Sequence, residues 1–253
     1  MLKSYGISGK ECEAELELLG IGADFGKVEW FYGEENPDDF KVIYEGRTSV
    51  LMHSSGKKIT GVEHLSAAML LFSGYSFKLK APQGELPLLD GSAALWKKEL
   101  EKVGGIKNNK LRFCECPEKE FEIKMDKRFV KFQNTGENCL EIKYSIDRFG
   151  QKFEADVKIN SGEDLEKILL ARTYIFEEEL PSAGLSENLR GCGVVLGEGG
   201  TNLLFENEPA FHKILDFLGD ITLRGGVLPS GRFEIFNGGH ELHHRVLEKI
   251  TPA

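Results

Sequence analysis

The chain has 253 residues, 41% hydrophobic and 29% charged, with 41 acidic against 32 basic side chains and a net charge of -9. This balance excludes fibrous and disordered classes. The acidic excess argues against nucleic acid as the main partner and leaves small molecules as the expected ligands. The length allows one large domain or two of ordinary size, with a substantial core either way. No run approaches the roughly 20 apolar residues that span a bilayer, and MLKSYGISGKECEAE lacks the apolar centre of a signal peptide. No transmembrane segment and a cytoplasmic location are therefore expected. The five cysteines, Cys12, Cys114, Cys116, Cys139 and Cys192, are odd in number and lack C-x-x-C spacing. A disulfide framework is not expected, and Cys114 and Cys116 read as two thiols near a strand.

In chain order, ECEAELELL (Glu11 to Leu19) alternates glutamate with Cys12, Ala14, Leu16 and Leu18, the period of a half-buried strand. KVEWFY repeats the habit with Val28, Trp30 and Tyr32. GVEHLSAAMLLFSG (Gly61 to Gly74) is an apolar helix-length segment closed by a glycine suited to a C-terminal cap. A strand at SFKLKA and a turn at PQGELP lead to a tight turn at Asp90-Gly91 and a helix, SAALWKKELEKVGG, with Ser92 as N-cap.

The second half repeats this order. Strands are predicted at EFEIKM, FVKFQ, CLEIKYSID and KFEADVKI, followed by a helix over SGEDLEKILLARTYIFEEEL that opens on a Ser161 cap with acidic residues in its first turn. Glycine-rich loops around GEGG precede the helix FHKILDFLGD, the strand GRFEIFN and a last helix, GGHELHHRVLEKI. Strands first and helices after, twice over, predict two α+β domains of similar plan. Their spans are 1–106 and 107–253, with the boundary in GGIKNNKLRF.

In FHKILDFLGD, His212, Asp216 and Asp220 follow one another at steps of four. On a helix each step advances the direction by about 40°, so the three share a polar stripe beside an apolar face. Catalytic zinc takes three protein ligands and keeps one open position. His212 and Asp216 can supply two of them. The third has few sources, because only His53, His64, His212, His240, His243 and His244 exist. His64 follows Glu63 on an otherwise apolar helix, where a polar pair needs a reason to be tolerated. A metal ligand beside a general base is one reason. A partly exposed pair near a helix start is the other.

Together, GVEHLSAAM, LPLLDGSAALW, ARTYIF, FHKILDFLGD and GGHELHH resemble, in order and spacing, the zinc-dependent UDP-3-O-acyl-N-acetylglucosamine deacetylases of lipid A biosynthesis. The resemblance runs from about Ile59 to the C-terminus. It implies that His64, His212 and Asp216 hold Zn2+ with water as fourth ligand, and that Glu63 is the general base. It implies that Thr173 stabilises the oxyanion with the metal and that His240, oriented by Asp220, protonates the leaving amine. Lys213 would meet substrate phosphate or developing negative charge, and Tyr174 would contact substrate. LPLLDGSAALW is read as scaffold, and His243 and His244, which match no catalytic position, as helix surface. The implied fold has helices packed between two outer sheets, with the metal at the domain interface. The implied substrate is an acylated UDP-sugar that loses acetate and needs an apolar passage; a monomer is expected.

The chain departs from the family's pattern in places. The N-terminal glycine-rich block is shortened to YGISGK without its histidine, Gly61 replaces a threonine, and Tyr174 stands where phenylalanine is usual. EEELPSAGLSENLRGCGVV replaces a longer insert that encloses the acyl chain. These changes leave two alternatives open, a zinc amidohydrolase on another N-acetylated sugar or sugar nucleotide, and a non-catalytic sugar-nucleotide-binding paralogue.

Overall fold

The computed structural model describes residues 1–22, 27–32, 40–180, 191–197, 202–223 and 226–250. Strands β1 (Leu2–Tyr5), β2 (Glu11–Ile21), β3 (Lys27–Phe31) and β7 (Tyr75–Lys80) form a four-stranded sheet in the order β1-β2-β7-β3. Between β3 and β7, β4 (Lys41–Glu45), β5 (Thr48–Met52) and β6 (Lys58–Thr60) make an antiparallel meander. The larger sheet comprises β9 (Glu120–Met125), β10 (Arg128–Gln133), β11 (Leu140–Arg148), β12 (Gln151–Ile159) and β15 (Leu228–Phe236) in the order β12-β11-β15-β10-β9. Strand β8 (Phe113–Glu115) extends it beside β15. In β11, Leu140, Ile142, Tyr144 and Ile146 are buried at every second position, so one face of this sheet is core.

The helices lie between the two sheets. All seven residues of α1 (Glu63–Met69) are buried. It packs against α2 (Ala94–Lys102), which rests on β2, and against α4 (Glu208–Thr222), which covers β11, β12 and β15. Helix α5 (His240–Ile250) and the short α3 (Glu166–Leu170) flank α4. One buried cluster joins Leu65 and Phe72 to Ile142, Phe217 and Phe233, so the core runs through both halves. The architecture is α+β with helices sandwiched between sheets, as expected.

Three expectations need correction. The helix predicted over Ser161 to Leu180 is broken. Ser161 caps a 3-10 turn at Gly162–Leu165 through a capping box with Asp164, α3 runs only to Leu170, and Tyr174–Phe176 forms strand β13 beside β14 (Val194–Leu196). The intervening backbone has long-range partners that outweigh local propensity: Arg172 N donates to Glu208, and Thr173 N donates to Gly91 O. Second, α2 begins at Ala94 with Ala93 at its N-cap, and Ser92 Oγ accepts from Ala94 N while bonding Asp90. Third, β1 and the β4–β6 meander are additions to the predicted strands: TSVLM is buried at four successive positions and lacks the alternation of a half-buried strand. The 181–190 part of the shortened insert and most of the GEGG loop lie outside the described residues.

Candidate active site

The polar stripe of α4 meets the start of α1 at one end of a pocket of about 280 Å³. Glu63, His64, Thr173, Tyr174, His212, Lys213, Asp216 and His240 all line it. Asp220 stands behind His240, fully buried. Four segments thus deliver the nine expected residues to one place.

Asp216 Oδ1 faces His64 Nε2 at 3.5 Å and His212 Nε2 at 3.3 Å, and the three residues can each offer a ligand atom with all such atoms within 4.8 Å of one another. The His212 Nδ1 donates to the Ala171 carbonyl at 3.1 Å, which leaves its Nε2 lone pair aimed at the others. Burial pushes His212 down to about 3 despite Asp216, so the ring is neutral at physiological pH. Asp216 keeps its charge. Burial opposes ionisation, but His212 and Lys213 hold its carboxyl well below the usual carboxylate range. Lys213 Nζ donates to Asp216 Oδ2 at 2.8 Å and so occupies the oxygen turned away from the imidazoles. Two imidazoles and one carboxylate oxygen, with His212 and Asp216 oriented by outer partners, are a donor set that fits zinc.

Opposite this group, Glu63 accepts from Thr48 Oγ1 at 2.8 and 3.0 Å and from Ser49 N at 3.2 Å. Thr48 Oγ1 in turn accepts from Gly61 N at 2.9 Å. Burial raises the Glu63 carboxyl above its ordinary value, against the pull of His240 and His64. His240 Nε2 stands 3.9 Å from both Glu63 Oε1 and Asp216 Oδ2, and its Nδ1 donates to Asp220 Oδ2 at 2.8 Å. Burial alone would lower His240, but Asp220 outweighs it and the imidazole rises to about 9. The Asp220 carboxyl sits far below the usual range, because His240 and His243 overcome its burial.

Sequence reasoning missed several members of this site. Thr48 and Ser49 carried no signal, since hydroxyls in an apolar run look like ordinary strand residues. His243 is no surface residue: it is fully buried, and its Nδ1 donates to Asp220 Oδ2 at 2.7 Å. His244 is also buried and meets Ser49 Oγ at 2.7 Å. The signal was available, since His243, Val246, Leu247 and Ile250 recur at i, i+3, i+4 and i+7. At the rim, Glu179 Oε1 accepts from Arg47 Nη2 at 3.4 Å and Arg148 Nη2 at 3.0 Å.

Fold and site together define an α+β protein with a candidate metal-assisted hydrolytic centre between its sheets. Residues 8–252 match the family model LpxC, UDP-3-O-acyl N-acetylglycosamine deacetylase, and the chain belongs to this family. It is therefore a deacetylase, a hydrolase of lipid A biosynthesis. Among its relatives is the UDP-3-O-acyl-N-acetylglucosamine deacetylase of Nautilia profundicola, 26% identical over 96% of this chain and 86% of the relative. The proteins of the same name from Oleidesulfovibrio alaskensis and Helicobacter hepaticus are 27% and 30% identical, over 92% and 95% of this chain and 85% and 84% of theirs. Among the described residues no helix is long and apolar enough to cross a membrane.

Proposed function

We propose that the chain removes the N-acetyl group of UDP-3-O-acyl-N-acetylglucosamine as acetate, with zinc held by His64, His212 and Asp216. The observation that carries this reading is the convergence, in one pocket, of that donor set with a buried carboxylate and a charged imidazole. Bound zinc would supply Lewis acidity, which polarises an amide carbonyl and makes water more acidic.

The protein's own groups do the rest. Glu63 takes the proton of the attacking water; burial makes it a stronger base than a free carboxylate, and Thr48 and Ser49 hold its plane. The Thr173 hydroxyl donates to the developing oxyanion, its backbone N–H already being committed to Gly91. His240 is charged below about pH 9 and delivers a proton from Nε2 to the leaving amine, while Asp220 holds Nδ1. Lys213 holds the Asp216 carboxylate and lies 5.4 Å from the Tyr174 ring centre, where both can contact the sugar nucleotide.

The test is acetate release from the acylated UDP-sugar by wild type and Glu63→Ala. General-base catalysis is worth about 10²–10⁴-fold, so the variant should lose that much while still binding zinc. Full activity in the variant would sink the mechanism. A second reading, another N-acetylated sugar as substrate, draws support from the charged Arg47–Glu179–Arg148 rim. Equal rates on acylated and unacylated UDP-N-acetylglucosamine would favour it.

We place the reaction in the cytoplasm, by a monomer. Five free cysteines suit a reducing compartment, and light scattering tests the oligomeric state. We also keep the division at 106/107, supported by the two sheets drawing their strands from either side of it. Proteolysis confined to 104–113 that leaves two resistant fragments would support it, and cleavage elsewhere first would count against it.

A further inference from the structure

Asp220 is fully buried, and three side chains are aimed at its carboxylate. Ser49 Oγ donates to Oδ1, while His240 Nδ1 and His243 Nδ1 both reach Oδ2, at 2.8 and 2.7 Å. Proton transfer as described above uses His240 but leaves His243 idle. A histidine with no exposure and no role in the chemistry calls for a reason to be kept polar in the core.

The hydrogen bonds around His243 allow one arrangement. Asp220 is ionised and can only accept, so His243 Nδ1 carries a proton. The ring is neutral, because burial lowers its pKa, so Nε2 is bare. Tyr144 OH lies 3.2 Å from that nitrogen and must donate to it. Burial raises the Tyr144 phenol well above its ordinary value, so the proton stays on the oxygen. The result is a directed chain, Tyr144 O–H to His243 Nε2, then His243 Nδ1–H to Asp220 Oδ2, ending on the oxygen that holds His240.

Packing locks this chain in place. The His243 ring meets Phe217 edge-on at 5.2 Å between centroids and Tyr144 at 6.1 Å. The Tyr144 hydroxyl lies against Gly238, where a Cβ would come within 2.5 Å of the phenol oxygen. The glycine that opens GGHELHH therefore leaves room for the far end of the chain.

We propose that His243 and Tyr144 are positioning residues for the deacetylation: Asp220 fixes the His243 tautomer, Tyr144 satisfies the bare Nε2 and holds the ring in place, and His243 sets the plane of the Asp220 carboxylate that orients His240. The proposal rests on His240 being the proton donor. A carboxylate held by one imidazole can swing about its Cβ–Cγ bond, whereas one held by two imidazoles and a hydroxyl cannot.

The test compares His243→Leu, His243→Asn and Tyr144→Phe. Leucine fills the volume and removes the donor. The Asn Nδ2 occupies the place of the imidazole Nδ1 and returns a donor to Asp220. Loss of an outer-shell orienter costs about 10–100-fold, so His243→Leu should lose that much in kcat with KM unchanged. His243→Asn should recover most of it, and Tyr144→Phe should show a smaller loss in kcat alone. Leu and Asn variants that both keep the wild-type kcat would overturn the proposal. So would equal losses in both that follow their thermal stabilities, the behaviour of a merely structural residue.

Ring-nitrogen NMR of the purified protein gives a readout independent of turnover. His243 should be the Nδ1–H tautomer in wild type and in Tyr144→Phe, with only the Nε2 resonance moving when the Tyr144 donor is lost, and an Nε2–H tautomer in wild type would overturn the proposal. Absence of acetate release by wild type would instead refute the functional reading on which it rests.

Discussion

Gly219 of α4 lies so close to Glu63 of α1 that a Cβ at position 219 would overlap the Glu63 carbonyl group. The contact sets how near the helix carrying Glu63 and His64 approaches the helix carrying His212 and Asp216. Gly219→Ala meets backbone, which cannot turn aside as a side chain can. Overpacking costs roughly 1–3 kcal/mol, and this case belongs at the upper end. We expect a melting temperature lower by several degrees, at about 2–4 °C per kcal/mol for a chain of this size. Weaker zinc binding should accompany it, because the two halves of the donor set are forced apart. A calorimetric scan with a zinc titration checks both, and unchanged zinc affinity would show that the helix spacing is not what assembles the site.

His240 gives the pH dependence a sign. Burial pushes it down, but Asp220 brings it to about 9 from an ordinary 6.5. Its pKa is raised on folding, so the stability it contributes is fully present below about 6.5 and is lost as pH rises through about 9. Its proton-donating form disappears over the same upper range. The rate should therefore fall on the alkaline side near pH 9, and Asp220→Asn should move that limb down. A pH–rate profile for both proteins decides it, and an alkaline limb that stays in place in Asp220→Asn would contradict the assignment.

Thr48 is the hydroxyl that holds Glu63, the proposed base. Thr48→Val keeps the shape and removes the donor to Glu63. A hydrogen bond to a charged group is worth about 1.5–3 kcal/mol, so the rate should drop by at least about tenfold. Glu63 should also become harder to ionise, which moves the acid limb of the profile upward. An unchanged acid limb would mean that Ser49 N alone suffices.

Arg172 and Glu208 anchor the strand-like stretch that supplies Thr173 and the carbonyl of Ala171. Arg172 Nε donates to Glu208 Oε1 at 2.8 Å, and Arg172 N and Leu204 N donate to the same carboxylate. Breaking a fully buried pair on one side costs about 3–5 kcal/mol; Arg172 is partly exposed and keeps its bond to the Asn202 carbonyl, so Glu208→Ala should destabilise by less than that, roughly 1–3 kcal/mol. Because Ala171 O accepts from His212 Nδ1, the variant should also bind zinc more weakly. Denaturant melts and metal titration measure the two effects.

How much of this was legible in the sequence depended on whether one element carried the pattern. His212, Asp216 and Asp220 share a helix, so their common stripe follows from the helical period alone. Glu63 and His64 were conspicuous as polar residues in an apolar helix. Thr48 and Ser49 act through partners 15 and 171 positions away, and no local period encodes such a bond. The polarity of His243 points to the surface, whereas its place on the apolar face of α5 puts it in the core. Leu170 to Phe176 has helix-forming neighbours, yet Glu208 and Gly91 claim its backbone donors. Local propensity yields there to tertiary hydrogen bonds.

Acetate release should depend on zinc held by His64, His212 and Asp216. The most direct measurement strips the protein of metal and titrates zinc back while following acetate release from UDP-3-O-acyl-N-acetylglucosamine. Turnover should be absent without metal and should rise to saturation at one equivalent. Turnover by the stripped protein equal to that of the loaded one, or one equivalent of zinc bound without acetate release, would contradict this expectation.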